Sequence, residues 1–187
     1  FDDSEDAWAG LHFNAGSGGA IDHAIINDTQ ETLRAIDCEL TVTNTAITNT
    51  NKAVYAEFEN GGSLTIDNCV IDAQPGSGAS IAVMLSSFAD DERKNTTAFD
   101  ITITNNLINT TNPYGLIYIY KDVEAEDNGT ATLVGDILIA DNVFNQTSMV
   151  SNFIYMGVDL EACDNAIASI KGNFTVVRNE MLQAGLG

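Results

Sequence analysis

The sequence predicts an all-β chain that winds into a solenoid of about six coils. Three observations predict this fold. A strand-like motif recurs six times along the 187 residues, and in each copy apolar and polar side chains alternate with the period of a half-buried strand. Prolines, which interrupt sheets, number only two. Apolar residues make up 44% and aromatic residues only 7%, so we expect one aliphatic core in a single domain over residues 1–187.

The recurring motif is an apolar residue, two polar or small residues, a small residue or asparagine, any residue and a second apolar residue. It lies in the segments AIDHAIIN (20–27), VTNTAIT (42–48), LTIDNCVID (64–72), ITITNNLIN (101–109), ILIADNVFN (137–145) and FTVVRNEML (174–182). Aligning the fourth position produces one column, which we expect to point inward: Ala24, Thr45, Cys69, Asn106, Asn142 and Asn179. Its three asparagines are expected to form a ladder of side-chain hydrogen bonds.

The alternation slips by one residue just before this column. Both flanking apolar residues can then face inward only if the chain turns a corner there. Asparagine is among the few non-glycine residues that tolerate the left-handed backbone of such a corner. The corner positions are His23, Asn44, Asn68, Asn105, Asp141 and Arg178. Arg178 is the residue type that fits this role least well.

A second family of strands precedes the first. Its members are WAGLHF (8–13), AVYAEF (53–58), SIAVML (80–85), LIYIYK (116–121) and FIYMGV (153–158). Each unit would therefore contain two strands, a corner and a short third strand. Coils that stack about 4.8 Å apart would satisfy nearly every backbone hydrogen bond.

The last three units are longer than the first three, with insertions at 86–98, 122–135 and 159–172. We expect them to project from one side of the solenoid as stacked acidic loops, and that side is often the binding side. Carboxylate oxygens suit Ca²⁺, which makes a calcium site one interpretation of these loops. The alternative is a solvated acidic rim, since no EF-hand spacing is present. The candidate metal ligands are Asp90, Asp91, Asp122, Asp127 and Asp164.

Tyrosines occupy outward positions of the second strand family, beside the acidic insertions. Phenol rings can stack on a pyranose while carboxylate oxygens accept hydrogen bonds from its hydroxyls, so this face is a candidate glycan site. The alternative is that tyrosine is simply a good strand residue. The candidate ligand-binding residues are Tyr55, Tyr118, Tyr120, Tyr155, Asp122, Glu124, Asp159 and Glu161.

The charge balance excludes two classes of partner. Asp and Glu number 27 against 7 Lys and Arg, a net charge of −20, which would repel nucleic acid and anionic membranes. No apolar run approaches the roughly 18 residues of a membrane span, so membrane insertion is not expected. Cys38, Cys69 and Cys163 are odd in number and lack metal-site spacing, so neither a disulfide framework nor a zinc site is implied.

The sequence resembles the right-handed parallel β-helix proteins of the pectin-lyase-like superfamily, with repeats of the kind found in bacterial and archaeal surface proteins. The resemblance covers residues 8 to 182. It is carried by W-x-G-L-x-F at 8–13, by Gly-Gly-Ala-Ile at 18–21 and by the I-x-x-N-x-I unit of Ile103, Asn106 and Ile108. It implies the fold and an extracellular or cell-surface location. The fold carries lyases, hydrolases, adhesins and tail spikes, so it does not assign one activity.

A non-catalytic surface module, adhesive or carbohydrate-binding and a segment of a longer extracellular protein, agrees best with these features. A glycan or another surface protein would be its partner. The alternative is a polysaccharide hydrolase or lyase. A hydrolase needs two carboxylates about 5 to 10 Å apart. A lyase needs a base and cations. The Asn-Thr-Asp and Gly-His-Gly signatures of polygalacturonase-like hydrolases are absent, and basic residues are few.

Two lesser alternatives involve other surfaces. Open strand edges and an apolar outward column invite end-to-end or side-by-side self-association, as in a filament subunit. That column contains Ile25, Ala46, Val70, Leu107, Val143 and Glu180. An array of outward threonines would suit an ice-binding face: Thr41, Thr43, Thr65, Thr102, Thr104 and Thr175. The array is interrupted, and threonine also favours strands generally.

Overall fold

The computed structural model describes residues 9–74, 78–111, 115–146 and 152–183, so Trp8 of the first motif lies outside the described part. All regular elements in this part are strands, and none of it forms a helix suited to crossing a membrane. The strands are β1 Leu11–Phe13, β2 Gly18–Asp22, β3 Ile25–Ile36, β4 Glu39–Thr43, β5 Ala46–Phe58, β6 Gly62–Asp67, β7 Val70–Ala73, β8 Ile81–Ala89, β9 Lys94–Thr104, β10 Leu107–Thr110, β11 Ile117–Ala125, β12 Thr130–Ala140, β13 Val143–Gln146, β14 Ile154–Ala162, β15 Ile167–Lys171, β16 Phe174–Val177 and β17 Glu180–Gln183.

The strands pair in parallel to form two strongly curled sheets. One sheet has the order β14-β11-β8-β5-β7-β10-β13-β17, with β3 beside β5 and β1 beside β3. The other has the order β15-β12-β9-β6-β4-β2, with β16 also beside β12. Equivalent residues of successive units pair directly, as Leu64 does with Ile101 and Ile101 with Ile137. The sequence prediction of an all-β chain with stacked, solenoid-like coils is confirmed at this level.

Six coils follow from this pairing, and we number them along the chain. Coil 1 contains β1, β2 and the start of β3, and coil 2 contains the end of β3, β4 and the start of β5. Coil 3 contains the end of β5, β6 and β7. Coil 4 contains β8 to β10, coil 5 contains β11 to β13 and coil 6 contains β14 to β17.

The predicted corners are confirmed. All six corner residues have left-handed backbone, with φ of 53° at His23, 50° at Asn44, 53° at Asn68, 57° at Asn105, 59° at Asp141 and 53° at Arg178. Arg178 has a clear electrostatic reason to be there. Its guanidinium donates two hydrogen bonds to the carboxylate of Asp141 in the coil before, each 2.6 Å long. This paired contact offsets part of the strain of a long side chain in the left-handed region.

The core is a column of aliphatic side chains between the two sheets. Each coil contributes residues spaced two apart on one strand, such as Leu64 and Ile66 in coil 3 and Ile101 and Ile103 in coil 4, all 0% exposed. Burying each such side chain contributes about 1.5 to 3 kcal/mol. The core therefore holds the coils in register, because a slip of one residue would turn these side chains outward.

The insertions of coils 4 to 6 do not form the stacked acidic loops that we expected from the sequence. Residues 86–98, 122–135 and 159–172 mostly continue the strands, and we call this extension the wing. The reason is a period-two pattern in which Val123 and Ala125 are buried while Asp122 faces solvent. Val123 pairs with Ser87, and Ala125 pairs with Ala89, so small inward side chains let the two layers pack closely.

Only the tip of each wing strand pair is a turn. The central residues have positive φ in each coil, 47° and 60° at Asp91 and Glu92, for example, which is type I′ geometry. In each turn the N–H of the fourth residue donates to the carbonyl of the first, at 2.8 Å from Arg93 to Asp90. The corresponding turns at Asp127–Asn128 and Asp164–Asn165 stack on it through backbone hydrogen bonds.

Candidate functional site

Three tyrosines form a cluster on the outer face of the sheet that contains β11 and β14. Tyr118 of coil 5 pairs in register with Tyr155 of coil 6. Their rings are parallel within 7°, with centroids 5.1 Å apart. Tyr120 lies two residues along β11, and its ring centroid is 6.4 Å from that of Tyr118 at an angle of 10°. We call Tyr118, Tyr120 and Tyr155 the tyrosine cluster.

The orientation of the rings decides what the cluster presents to solvent. Because the rings of Tyr118 and Tyr155 are stacked, each covers one face of the other. The stack presents ring edges and hydroxyl groups along its outer side, and Tyr155 is its most exposed member at 42%. It offers alternating apolar edges and hydrogen-bonding groups rather than one broad aromatic platform.

A glycine that the sequence reasoning missed shapes this cluster. Gly157 pairs with Tyr120 across the two coils. A Cβ atom at this position would lie 2.5 Å from Cδ2 of Tyr120 and 3.2 Å from Cε1 of Tyr155. Because Gly157 has no side chain, the Tyr120 ring can pack directly against the backbone of coil 6 at this position. An isolated glycine inside a strand is a sequence signal for such a close approach.

Two pairs of carboxylates continue the same outer face toward the wing tip. Asp122 pairs in register with Asp159, and Glu124 pairs with Glu161. Like charges that occupy directly paired positions repel each other, and these four residues form no ion pair within the described part of the chain. We call these four residues the carboxylate rows.

The directions of two pKa shifts show which local groups act on each other. Desolvation raises the pKa of Glu124, and repulsion from Glu126, Glu161, Asp122 and Asp159 adds to the shift. The pKa of Tyr120 is also raised, first by desolvation and then by Asp159 and Asp122. Its hydroxyl lies 3.5 Å from Oδ2 of Asp159, to which it can donate a weak hydrogen bond. A neutral phenol at this position keeps its hydrogen-bond donor.

Tyr55 is not part of the cluster. It lies on the same outer face, but Ala82 of coil 4 separates it from Tyr118. Its ring instead packs against Arg34 and Lys52, with the guanidinium carbon 5.2 Å and the ammonium nitrogen 4.8 Å from the ring centroid. Its hydroxyl donates to Glu57 at 3.2 Å. Seven of the eight candidate ligand-binding residues therefore lie together, and Tyr55 lies apart.

The candidate metal ligands do not assemble into one group. Asp90, Asp91, Asp127 and Asp164 lie in the turns at the wing tip, whereas Asp122 lies on β11. Asp90 is paired with Arg93 at 3.2 Å. Among the described residues, no three His, Cys, Asp or Glu side chains are placed to hold a metal ion.

The inward column acts on the structure rather than on a ligand. The backbone N–H of Cys69 donates to Oδ1 of Asn106 at 2.8 Å, and Nδ2 of Asn142 donates to Oδ1 of Asn179 at 2.9 Å. At the other end, the N–H of Ala24 donates to Oγ1 of Thr45 at 3.3 Å. Asn106 and Asn142 are 2% and 1% exposed, so these amides bind the protein itself.

The tyrosine cluster and the carboxylate rows together make a flat, open face on paired strands. Its phenol hydroxyls can donate and accept hydrogen bonds, its carboxylates can accept them, and its ring edges are apolar. Comparison with known proteins found no matching family model, no similar curated protein and no similar solved structure. The geometry of this face is therefore what supports a function.

Proposed function

We propose that the chain is a right-handed parallel β-helix and a non-catalytic extracellular or cell-surface module that binds a glycan on its tyrosine cluster. The observation that carries this proposal is the stacking of Tyr118, Tyr120 and Tyr155 at the surface, directly beside the carboxylate rows. This combination places apolar ring edges and many hydrogen-bonding oxygens side by side.

The chemistry of the face suits a polyhydroxylated ligand. Sugar hydroxyls can donate to the carboxylates of Asp122 and Asp159 and exchange hydrogen bonds with the phenols of the cluster. The C–H groups of a pyranose can pack on the ring edges and on the exposed part of Tyr155. A flat face without enclosing walls would accept an extended chain along the coils.

The charge of the face favours a neutral glycan over an acidic one. The four carboxylates of the rows have no paired cation in the described part of the chain, and the whole chain carries −20. Uronates or sulfated sugars would be repelled by this field. Neutral polymers avoid this cost and still offer hydroxyl donors.

The part of the face that lies on β11 is held in place by a paired strand on each side. Tyr118, Asp122 and Glu124 lie on β11, which is hydrogen-bonded to β8 on one side and to β14 on the other. Strands fixed on both sides lose little backbone freedom on binding. Little of the binding free energy is then spent on ordering the site.

Isothermal titration calorimetry against neutral hexasaccharides of glucose, xylose, mannose and N-acetylglucosamine tests this proposal. We expect one of them to bind, and we expect Tyr155→Ala to weaken that binding by about tenfold or more. Tyr55→Ala is the matched control, because Tyr55 lies on the same sheet face but outside the cluster, and it should leave the affinity unchanged. Absence of binding by all four glycans, or equal effects of the two variants, would contradict the proposal.

One observation favours a second candidate, glycoside hydrolysis. The pKa of Glu124 is raised, as a general acid requires, and Glu161 lies in the paired position on the next strand. Release of reducing ends from the same glycans, abolished by Glu124→Gln, would support a hydrolase. Binding without any such release would support the non-catalytic module.

A further inference from the structure

The wing begins at a step between coil 3 and coil 4. β5 of coil 3 ends at Phe58, which pairs with Leu85, whereas β8 of coil 4 continues to Ala89. Residues 86–89 therefore pair with β11 on one side, and no described strand pairs with them on the side of coil 3. The strands on both sides of the step are described, so this open edge is internal to the solenoid.

The open edge of β8 presents backbone groups that are available for pairing. The carbonyl of Ser80 accepts hydrogen bonds from β5, so it points toward coil 3. Backbone groups point to alternate sides along a strand, so those of Ser86 and Phe88 point the same way. They lie beyond the last residue of β5 and meet no described strand. They offer two N–H donors and two C=O acceptors to an extended segment.

The second layer of the wing has an open edge too, but that edge is protected. Residues 94–98 of β9 extend beyond the part that pairs with β6. Lys94 is exposed there. A Cβ atom on Gly61 would lie 3.0 Å from the carbonyl oxygen of Ala98, so the turn of coil 3 covers one end of this edge. Lysines and covering turns usually protect strand edges, whereas residues 86–89 of β8 carry no charge.

The outer side of the β8 edge carries an exposed aromatic ring. Phe88 is 50% exposed and pairs in register with Glu124 of the carboxylate rows. Ser86 pairs with Asp122, and its small side chain adds little bulk in front of that carboxylate. A strand added to this edge would therefore have an apolar ring and two carboxylates beside its outward side chains.

These features fit a basic extended segment. We propose that the edge of β8 binds a lysine- or arginine-rich segment of a partner protein, which adds to the sheet as a further strand. Its outward cations would lie over the Phe88 ring and reach the carboxylates of Glu124 and Asp122. Those carboxylates lie one strand beyond β8, roughly 10 Å from the added backbone. Two long side chains that extend toward each other span this distance.

The same sheet already contains a contact of this kind. Lys52 places its ammonium nitrogen 4.8 Å from the centroid of the Tyr55 ring. The same nitrogen lies 3.4 Å from Oε2 of Glu31, which pairs with Lys52 on the neighbouring strand. A cation that contacts both an aromatic ring and a carboxylate of the next strand is therefore compatible with this geometry.

The charge of the chain favours a cationic partner over a second copy. Each copy carries −20, and the carboxylate rows have no ion pair within the residues that the structure describes. A second copy on this edge would bring further carboxylates to the same place. A basic segment would neutralise them instead.

The inner side of the edge indicates which residues alternate with the cations. Ser87 is 2% exposed, and its Oγ has no hydrogen-bond partner in the described part of the chain. Ala89, the next inward residue, is equally buried. A side chain opposite these positions must be small, and a hydroxyl group could supply the partner that Ser87 lacks. We therefore expect threonine or serine between the cations of the partner.

Fluorescence anisotropy with a labelled peptide and the full chain tests the proposal. The probe is a short blocked peptide that alternates lysine and threonine, at an ionic strength of about 50 mM to limit screening. We expect saturable one-to-one binding. Two further peptides of equal charge carry N-methyl groups on all the threonines or on all the lysines.

The methylated peptides separate strand addition from attraction between charges. In an added strand, one of the two sets of N–H groups faces β8 and the other faces solvent. We expect one methylated peptide to bind about tenfold more weakly or worse, and the other to keep most of its affinity. Loss with methylated threonines would indicate a parallel strand, and loss with methylated lysines an antiparallel one. Equal effects of the two methylations would overturn the proposal.

Two variants locate the site on the protein. Phe88→Lys removes the ring and places a charge at the open edge, so it should weaken binding of the unmethylated peptide by about tenfold or more. Thr96→Lys is the matched control, because it adds the same charge at an exposed position of β9, and it should weaken binding much less. Circular dichroism melts establish that both variants fold.

Three outcomes would contradict the site. Absence of saturable peptide binding would overturn the proposal, and so would equal weakening by Phe88→Lys and Thr96→Lys. Analytical ultracentrifugation of the chain alone tests the remaining occupant. A dimer that Phe88→Lys dissociates, in a chain that binds no peptide, would assign the edge to a second copy and overturn the proposal as well.

Discussion

Asn106 donates a hydrogen bond from Nδ2 to Oδ1 of Asn142, 3.0 Å away and 36 residues later in the chain. The same oxygen accepts the backbone N–H of Asn106, also at 3.0 Å. Asn142 and Asn179 repeat this arrangement one coil further along. The second hydrogen of each amide is used as well, for example by the bond from Asn142 to the carbonyl of Ile103 at 2.9 Å. This buried polar column couples coils 3 to 6 through asparagine amides that bond to the protein itself.

Asn142→Ala should destabilise the fold by about 2 to 4 kcal/mol. The substitution leaves the N–H of Asn106 and the carbonyl of Ile103 buried without their partners. Urea unfolding measures the loss. Asn179→Ala should cost a comparable or slightly smaller amount, because it removes three such bonds instead of four and leaves the N–H of Asn142 and the carbonyl of Ile139 without their partners. A cost below about 1 kcal/mol for Asn142→Ala would mean that the column does not stabilise the fold.

Asp22 should make the fold sensitive to acid. Hydrogen bonds from Asn44 and Thr43, at 2.7 and 2.8 Å, hold the pKa of its carboxyl at about 2, with a further contribution from His23. A lowered carboxyl pKa stabilises the fold above the ordinary value of about 3.9. That stability is lost as the pH falls through about 2. Melting temperatures between about pH 5 and 2 should therefore fall less steeply in Asp22→Asn than in the unaltered chain.

A control for this acid effect is Asp100→Asn. Asp100 is exposed and forms no hydrogen bond or ion pair through its side chain in the described residues. Its substitution should leave the slope of melting temperature against pH unchanged. If Asp22→Asn and the unaltered chain have the same slope, the hydrogen bonds at the corner of coil 1 do not contribute to stability.

Lys121→Met should stabilise the protein by on the order of 1 kcal/mol at neutral pH. Lys121 is 8% exposed, forms no ion pair in the described part of the chain, and has its Nζ 5.6 Å from the centroid of the Phe99 ring. The residues paired with it on β8 and β14, Leu85 and Val158, are apolar. Burial lowers the pKa of its amine, because the charged form is desolvated.

The pH dependence of the stability gained by Lys121→Met distinguishes removal of a buried charge from improved packing. The unfavourable charge is fully present below the lowered pKa of Lys121 and disappears as the pH rises toward the ordinary lysine value of about 10.4. The gain from Lys121→Met should therefore shrink between neutral and alkaline pH in urea titrations. Lys94→Met, at an exposed position, should give no gain at either pH. A gain independent of pH would attribute the effect to packing alone.

Asp159→Asn should lower the pKa of Tyr120. Desolvation is the largest cause of the raised pKa, and the charge of Asp159 is the next. Ultraviolet titration of phenolate formation measures the shift, and Tyr120→Phe identifies the transition. Because a raised tyrosine pKa disfavours the folded state above the ordinary value of about 10, the variant should also lose less stability at alkaline pH. An unchanged titration would show that the carboxylate rows do not act on the cluster.

The repeat of coils could be predicted because its signals are local. The step from Ile103 to Asn106 and Ile108 defines both the inward faces and the corner between them, and the positive φ of Asn105 follows from that step. The alternation of Tyr118, Tyr120, Asp122 and Glu124 likewise defines one face of a strand before any partner is known. Within a coil, the sequence pattern and the structure agree closely.

Relations between coils were harder to predict. Tyr55 is apart from the other tyrosines because Ala82 occupies the intervening coil, which depends on pairing over a long sequence distance. The sequence indicates loops in the wing because its many charged residues obscure the alternating strand pattern. The small inward side chains, such as Ala125 and Ala89, are recognised as strand positions only when the two coils are paired. The role of Gly157 depends on the Tyr120 ring of the preceding coil.

The pairing between wing strands limits how residues can be added to this chain during evolution. Coils 4, 5 and 6 recur at spacings of 36 and 37 residues for the asparagine column. Each wing strand is bonded to its equivalent in the neighbouring coil, and the wing strands of coil 5 are bonded on both sides. Lengthening a single copy would leave its new residues with no neighbour to bond. Duplication of a whole coil keeps the hydrogen bonds between neighbouring wing strands. The fold should therefore accept an added coil more readily than a few residues inserted into one wing.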